Sequence, residues 1–261
     1  MSALEVYLWA WVLIGGCMTL LWLASIPLRN VSIVDMFWGM GFVIVGAWAF
    51  MTGQGDPGRK WLLLFLVGIW GLRLSGYLAW RNWGKPEDFR YQKFRQDYGP
   101  QRYWWFSFFQ VFLLQGVLMG VIVLPVVFAH AAGEGRPIGA WDVAGALVWL
   151  IGFFFESVGD WQMARFKGNP ANKGKVMDRG LWRFTRHPNY FGDSAVWWGY
   201  GLIAVGAGVW WAAIGSVIMT ALIIKVSGVA LLEKSLGSTK PGYADYVRRT
   251  RAFFPWPPKR L

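Results

Sequence analysis

The chain has 261 residues, of which 56% are hydrophobic and 15% charged, with a formal charge of +12. Twenty tryptophans in that setting suit the water–lipid boundary of a membrane protein. A single Cys17 excludes a disulfide framework or a thiolate cluster within the chain, and two histidines, His130 and His187, argue against a histidine metal site.

Crossing a hydrocarbon core takes about 20 apolar residues of helix. Seven runs reach that length: Tyr7–Ile26, Val31–Met51, Trp61–Trp80, Phe106–Phe128, Trp141–Ala164, Pro188–Val209 and Trp210–Leu232. The first has neither a basic leader nor a small-residue cleavage site, so it reads as a retained span. The last two meet at a weak break, 206–211, which predicts a tight turn. The expected fold is all-α, one polytopic domain of seven transmembrane helices without an internal repeat.

Lysine and arginine set the orientation. With the N-terminus outside, segments 27–30, 81–105, 165–187 and 233–261 face in and carry 21 basic residues, against three facing out: Arg59, Lys60 and Arg136. The C-terminus is then cytoplasmic. The bias accounts for the positive charge through anionic membrane lipids, without nucleic acid. Residues 81–105 interleave charge with aromatic rings, as an interfacial amphipathic helix does, and the tail 243–258 repeats the pattern before ending in proline.

One stretch concentrates the chemistry: Arg183, Arg186, His187, Asn189 and Tyr190 crowd around Pro188, and Asp193 follows inside the apolar run. Proline suits the first turn of a helix. Asn189 and Tyr190 then sit at a helix N-terminus, where unpaired N–H groups and the helix dipole receive an anion such as a phosphate. No Gly-x-Gly-x-x-Gly follows a strand, so a nucleotide bound there is held without a Rossmann unit.

Six ionisable residues lie inside the runs: Asp35, Arg73, Glu156, Asp160, Asp193 and Lys225. Each costs at least ~2.5 kcal/mol at bilayer depth. Under the proposed topology all six fall in the cytoplasmic half, which predicts a polar cavity open to that side. The plainer alternative is a pair of salt bridges, Asp35–Arg73 and Asp193–Lys225, fixing helix register.

The string Asn189-Tyr-Phe-Gly-Asp193, continuing to Trp197, Gly199 and Tyr200, resembles the motif of steroid 5-alpha-reductases, and Arg-His-Pro-Asn-Tyr-x-Gly-Asp is similar to that of sterol C14 and C24 reductases. The likeness is greatest to the bacterial 5-alpha-reductase-like branch, which the stretch from Val34-Asp35 to Trp38 and Gly41 also resembles. It is good over about 150 to 200 and looser elsewhere. It implies an NADPH-dependent reductase of an activated carbon–carbon double bond, located in the bacterial inner membrane. Glu156 and Asp160 would contact the nucleotide. Lys167 and Lys175 would bind its phosphates, and Arg186, His187 and Tyr190 of the central string would belong to the same cofactor site. Asn189 and Asp193 would lie by the nicotinamide, and Glu233, Tyr243 and Tyr246 would be the C-terminal contacts.

A lipophilic substrate would enter from the bilayer, with an acid polarising its carbonyl. Asp35 matches the family's acid on span 2. The family's tyrosine on span 3 is replaced by Trp70 when Arg73 is aligned, which leaves Tyr77 or Tyr91 to stand in. A second reading is a membrane methyltransferase using S-adenosylmethionine, which shares Arg-His-Pro-x-Tyr-x-Gly. Such enzymes pair two glutamates near the C-terminus, where this chain has Glu233-Lys234. A third is a lipid-binding protein without chemistry. Asn189 and Asp193 favour the reductase. Substrate and oligomeric state are not specified by these residues.

Overall fold

The computed structural model describes residues 1–133, 136–227, 229, 233 and 241–259, and for Ser227 the backbone alone. Among them the chain is helix and connecting loop, with no strand. Helix α1 is Ala3–Leu28, opened by a reciprocal capping box between Ser2 and Glu5. Helix α2 is Ile33–Thr52, and α3 is Pro57–Asn82, capped by Asp56 with proline at its start. Then come α4 (Phe89–Tyr98), α5 (Pro100–Ser107), α6 (Leu114–Ile122) and α7 (Leu124–Ala131). The second half holds α8 (Ala140–Gly168), α9 (Pro188–Gly206), α10 (Ile214–Leu222) and α11 (Tyr243–Arg249).

Five helices among the described residues are long and apolar enough to cross a membrane: α1, α2, α3, the continuous stretch Pro100–Ile122 and α8. This is the make-up of a multi-pass membrane protein. Helix α9 has 19 residues and opens on polar side chains, while Trp210–Val226 forms a shorter apolar helix. Between them Gly208 takes φ +86°, a left-handed conformation that ends the helix, and the Val209 N–H returns to the Ala204 carbonyl at 3.0 Å. The end expected for the last run, Leu232, lies outside the described residues.

Two expected elements differ. Residues 81–105 do not form one interfacial helix. Helix α3 runs on to Asn82, and Gly99 (φ +74°) followed by Pro100 separates α4 from a helix that continues into the next apolar run. That run is not one regular helix either. It takes a π turn at Phe108–Leu113 and ends at Ile122, because Pro125 lacks the N–H a continuing helix needs.

The chain forms two compact units, residues 1–139 with 204–212, and 140–203 with 213–261. In the first, α2 and α3 approach backbone to backbone: a Cβ on Gly71 would stand 2.6 Å from the Gly39 carbonyl oxygen. Phe42, Val45, Val67 and Trp70 are buried beside this crossing. The Trp70 indole is therefore core, tilted against Phe42 with ring centroids 5.8 Å apart.

In the second unit, glycines recur every seven residues on α8 (Gly145, Gly152, Gly159) and on α9 (Gly192, Gly199). Seven residues are close to two turns, so each set shares one face. The faces meet. A Cβ at Gly152 would lie 2.5 Å from the Val196 nitrogen, and one at Gly199 would lie 2.8 Å from the Gly145 carbonyl. Small residues let membrane helices approach closely enough for dispersion and weak hydrogen bonds to hold them. Ser216 on α10 then donates to the Trp197 carbonyl at 2.6 Å.

Candidate functional site

Pro188 begins α9, as its missing N–H favours, and the close α8–α9 approach delivers Asn189 beside Asp160. The Asn189 amide nitrogen donates to Asp160 Oδ1 at 3.1 Å. Its Oδ1 is buried and meets no donor among the described residues. A buried carbonyl without a donor costs about 1–3 kcal/mol, so this acceptor is suited to an N–H brought by a ligand. Glu156 and Asp160, one turn apart on α8, are 3% and 7% exposed. Gly192 sits against the Glu156 backbone, which sets Asp193 on the neighbouring turn. Tyr200 accepts from Trp149 Nε1 at 3.0 Å, a further bond between α8 and α9. Asp160, Asn189, Glu156 and Asp193 thus gather on the α8–α9 seam.

Arg186 and His187, expected among the cofactor contacts, are buried in a clasp. Arg186 Nη2 and Nε donate to Glu233 at 2.6 and 2.8 Å, and Nη1 donates to the Thr250 carbonyl at 2.5 Å. His187 Nε2 lies 3.3 Å from the same Glu233 oxygen and stacks on Tyr190, ring centroids 5.7 Å apart. Burial pushes the imidazole pKa down and Glu233 pulls it back up only in part, so His187 is neutral near pH 7.

The chain after α11 lies along 182–187 as a strap. Thr185 Oγ1 donates to the Phe253 carbonyl at 2.8 Å, the Arg186 N–H to Arg251 at 2.9 Å, and the Trp256 N–H to Phe184 at 2.9 Å. Tyr246 donates to the Trp182 carbonyl at 2.5 Å and packs edge-on to Tyr243. Burial raises the pKa of both phenols. Glu233, Tyr243 and Tyr246 therefore brace the loop before α9. Lys167, in the last turn of α8, and Lys175 are exposed.

In the first unit, Asp35 occupies the opening turn of α2, where a negative charge suits the helix dipole. Tyr91 donates to its Oδ1 at 2.8 Å and Arg90 Nη2 to its Oδ2 at 3.0 Å. Arg90 also binds Asp88 at 2.8 Å. Burial, and then the Asp35 charge, raise the Tyr91 pKa well above the ordinary value, so the phenol keeps its proton. The Tyr77 ring has the guanidiniums of Arg73 and Arg81 at 5.3 and 5.6 Å from its centroid. Arg90 escaped the sequence reading. Its signal was its place beside Tyr91 and one turn from Glu87 and Asp88, in a segment read only as interfacial.

Long apolar helices, with buried acid and amide side chains where α8 meets α9, define a class: all-helical multi-pass membrane proteins. The chain belongs to the family described as protein of unknown function, DUF1295, whose model matches residues 21–250. It is also similar to an uncharacterized protein of Schizosaccharomyces pombe, 25% identical over 90% of this chain and 75% of that one. No solved structure matches it.

Proposed function

We propose that the protein is a seven-span reductase of the cytoplasmic membrane, N-terminus outside, which uses NADPH to reduce an activated double bond of a lipophilic substrate. At 1.5 Å per residue, α9 reaches about 28 Å, which suffices for a span, and Trp210–Val226 continues toward one. The observation that carries the reading is the buried Oδ1 of Asn189, which meets no donor among the described residues and is fixed by Asp160 at the N-terminus of α9. It fits the N–H of a carboxamide such as that of nicotinamide. When bound, NADPH supplies the hydride. Asp193, one turn beyond Asn189, offers a negative charge on the same face. Lys167 and Lys175 offer positive charge for phosphates.

Asp35 and Tyr91 serve the substrate. Tyr91 retains its O–H and turns it from Asp35 to a substrate carbonyl, while Arg90 keeps Asp35 in place. The Trp70 departure is then no obstacle, because the phenol comes from α4 instead of the third span.

The test is a melting-temperature titration of detergent-purified protein with NADPH, NADH and S-adenosylmethionine. NADPH should raise the melting temperature in wild type and in Asp35→Asn, and fail to do so in Asn189→Ala. A response to S-adenosylmethionine alone would turn the assignment to a methyltransferase. No response to any of the three would leave a lipid-binding protein.

A further inference from the structure

Helix α8 carries a stripe opposite its glycine face. Leu147, Ile151, Phe154 and Trp161 recur at helical spacing and are each more than half exposed. Arg165 extends the stripe by one turn, its guanidinium 5.6 Å from the Trp161 ring centroid. The sequence along this face is thus apolar chain, then indole, then cation, the order in which a bilayer passes from hydrocarbon to headgroup. From Phe154 to Arg165 the helix rises about 16 Å, close to half of a hydrocarbon core of ~30 Å.

At the cationic end lies an open cleft of about 500 Å³, walled by Trp161, Gln162, Arg165, Phe166, Met177 and Arg179 among others. Its floor is shaped by the loop itself. Gln162 accepts the Leu181 N–H at 3.0 Å, which draws 179–181 over the end of α8. A second, smaller cleft shares Phe166 and adds Lys167 and Lys173. Among the described residues no carboxylate lines either one. The nearby Asp178 is directed to Arg249, 3.7 Å away.

The geometry points to a site for one anionic phospholipid, its phosphate between Arg165 and Arg179 and its acyl chains along Trp161, Phe154 and Ile151. Two guanidiniums over mostly apolar walls match a phosphodiester carried on hydrocarbon, and the stripe leading away from them is what the chains need. The assignment rests on the chain crossing a bilayer and is independent of any cofactor. The phosphates of a dinucleotide share the headgroup's chemistry but have no use for the stripe.

The test uses full-length protein in a neutral detergent, with phosphatidylglycerol, phosphatidylcholine and NADPH added separately to wild type and to the double variant Arg165→Gln, Arg179→Gln. Melting temperature and native mass spectrometry are the readouts. Phosphatidylglycerol should raise the melting temperature several-fold more than phosphatidylcholine and stay bound as one copy. That difference should vanish in the double variant, whose response to NADPH should be that of wild type. Equal responses to the two lipids, or a phosphatidylglycerol response that survives the substitutions, overturns the site. Loss of the NADPH response with the lipid response kept overturns it too, and hands the cleft to the dinucleotide. If the double variant does not purify, Arg179→Gln in the loop must show at least a halved lipid response for the site to stand.

Discussion

The Tyr91 hydroxyl donates to Asp35 Oδ1 at 2.8 Å, tying the first turn of α2 to a helix 56 residues further along. Both residues are polar groups drawn out of water, and each satisfies the other. Removing one exposes the cost borne by its partner.

Tyr91→Phe leaves the ring in place and takes away only that donor. A lost bond to a charged acceptor costs about 1.5–3 kcal/mol, so the melting temperature should fall. In a turnover assay with an enone, the rate should drop on the order of 100-fold while the NADPH-induced thermal shift is unchanged. A variant with full turnover would remove Tyr91 from the chemistry. Tyr77→Phe, whose ring keeps its two guanidinium neighbours, should turn over normally.

The clasp around Arg186 makes a separate prediction. Arg186 is 8% exposed and gives two bonds to one Glu233 oxygen, so Glu233→Gln leaves a buried guanidinium short of its counter-charge. Breaking such a pair costs about 3 kcal/mol or more. Arg186→Lys should be nearly as harmful, since one ammonium cannot reach Glu233 and the Thr250 carbonyl in the geometry of a planar fork. Denaturant-induced unfolding of the two variants, read by tryptophan fluorescence, decides it.

Acid should weaken the fold through the histidines. His130 lies beyond the fourth apolar run, fully buried, with Nδ1 2.8 Å from the Val126 carbonyl, and burial holds its pKa down at about 4. The unfolded chain binds a proton near pH 6.5 that the folded one refuses. The stabilisation is therefore complete above pH 6.5 and is lost as the pH falls toward 4, by about 3 kcal/mol across that window. His187, lowered by burial as well, acts in the same direction. Melting temperature measured from pH 8 to 4 should fall through this range, and His130→Phe should flatten the fall.

What could be read in advance followed from local chemistry. The start of α9 was legible because Pro188 permits only a few backbone positions, and the turn before Trp210 because glycines interrupt an otherwise overlong run. Pro125 marked a helix break equally plainly, yet the apolar count carried the fourth run through it. Pairings across long separations left little local trace. Asp35 and Tyr91 each stand out as candidate proton donors, but nothing near either residue specifies the other. The strap was least legible of all, since its acceptors are the backbone carbonyls of Thr250, Arg251 and Phe253, which every residue possesses. The clasp around Arg186 and His187 left no trace, because a basic side chain facing solvent and one buried against Glu233 have the same sequence.

The seven-residue glycine spacing on α8 and α9 was present in the sequence, and its meaning is open to a direct comparison. A Cβ at Gly192 would collide with the Glu156 backbone nitrogen and lie 2.5 Å from the Gly152 carbonyl. Backbone cannot move aside as a side-chain tip can, so Gly192→Ala must push α9 away from α8. Overpacking of this kind costs about 1–3 kcal/mol. The same displacement would draw Asn189 from Asp160, so NADPH binding should weaken even though Gly192 contacts no ligand. Gly68, in the middle of α3, has nothing within 4 Å of its would-be Cβ. Gly68→Ala should therefore be neutral or stabilising by up to about 1 kcal/mol, the gain in helix propensity. Thermal melts and NADPH titrations of both variants give the answer. If Gly192→Ala melts and binds like wild type, the close approach of α8 and α9 is not what positions the acid–amide pair.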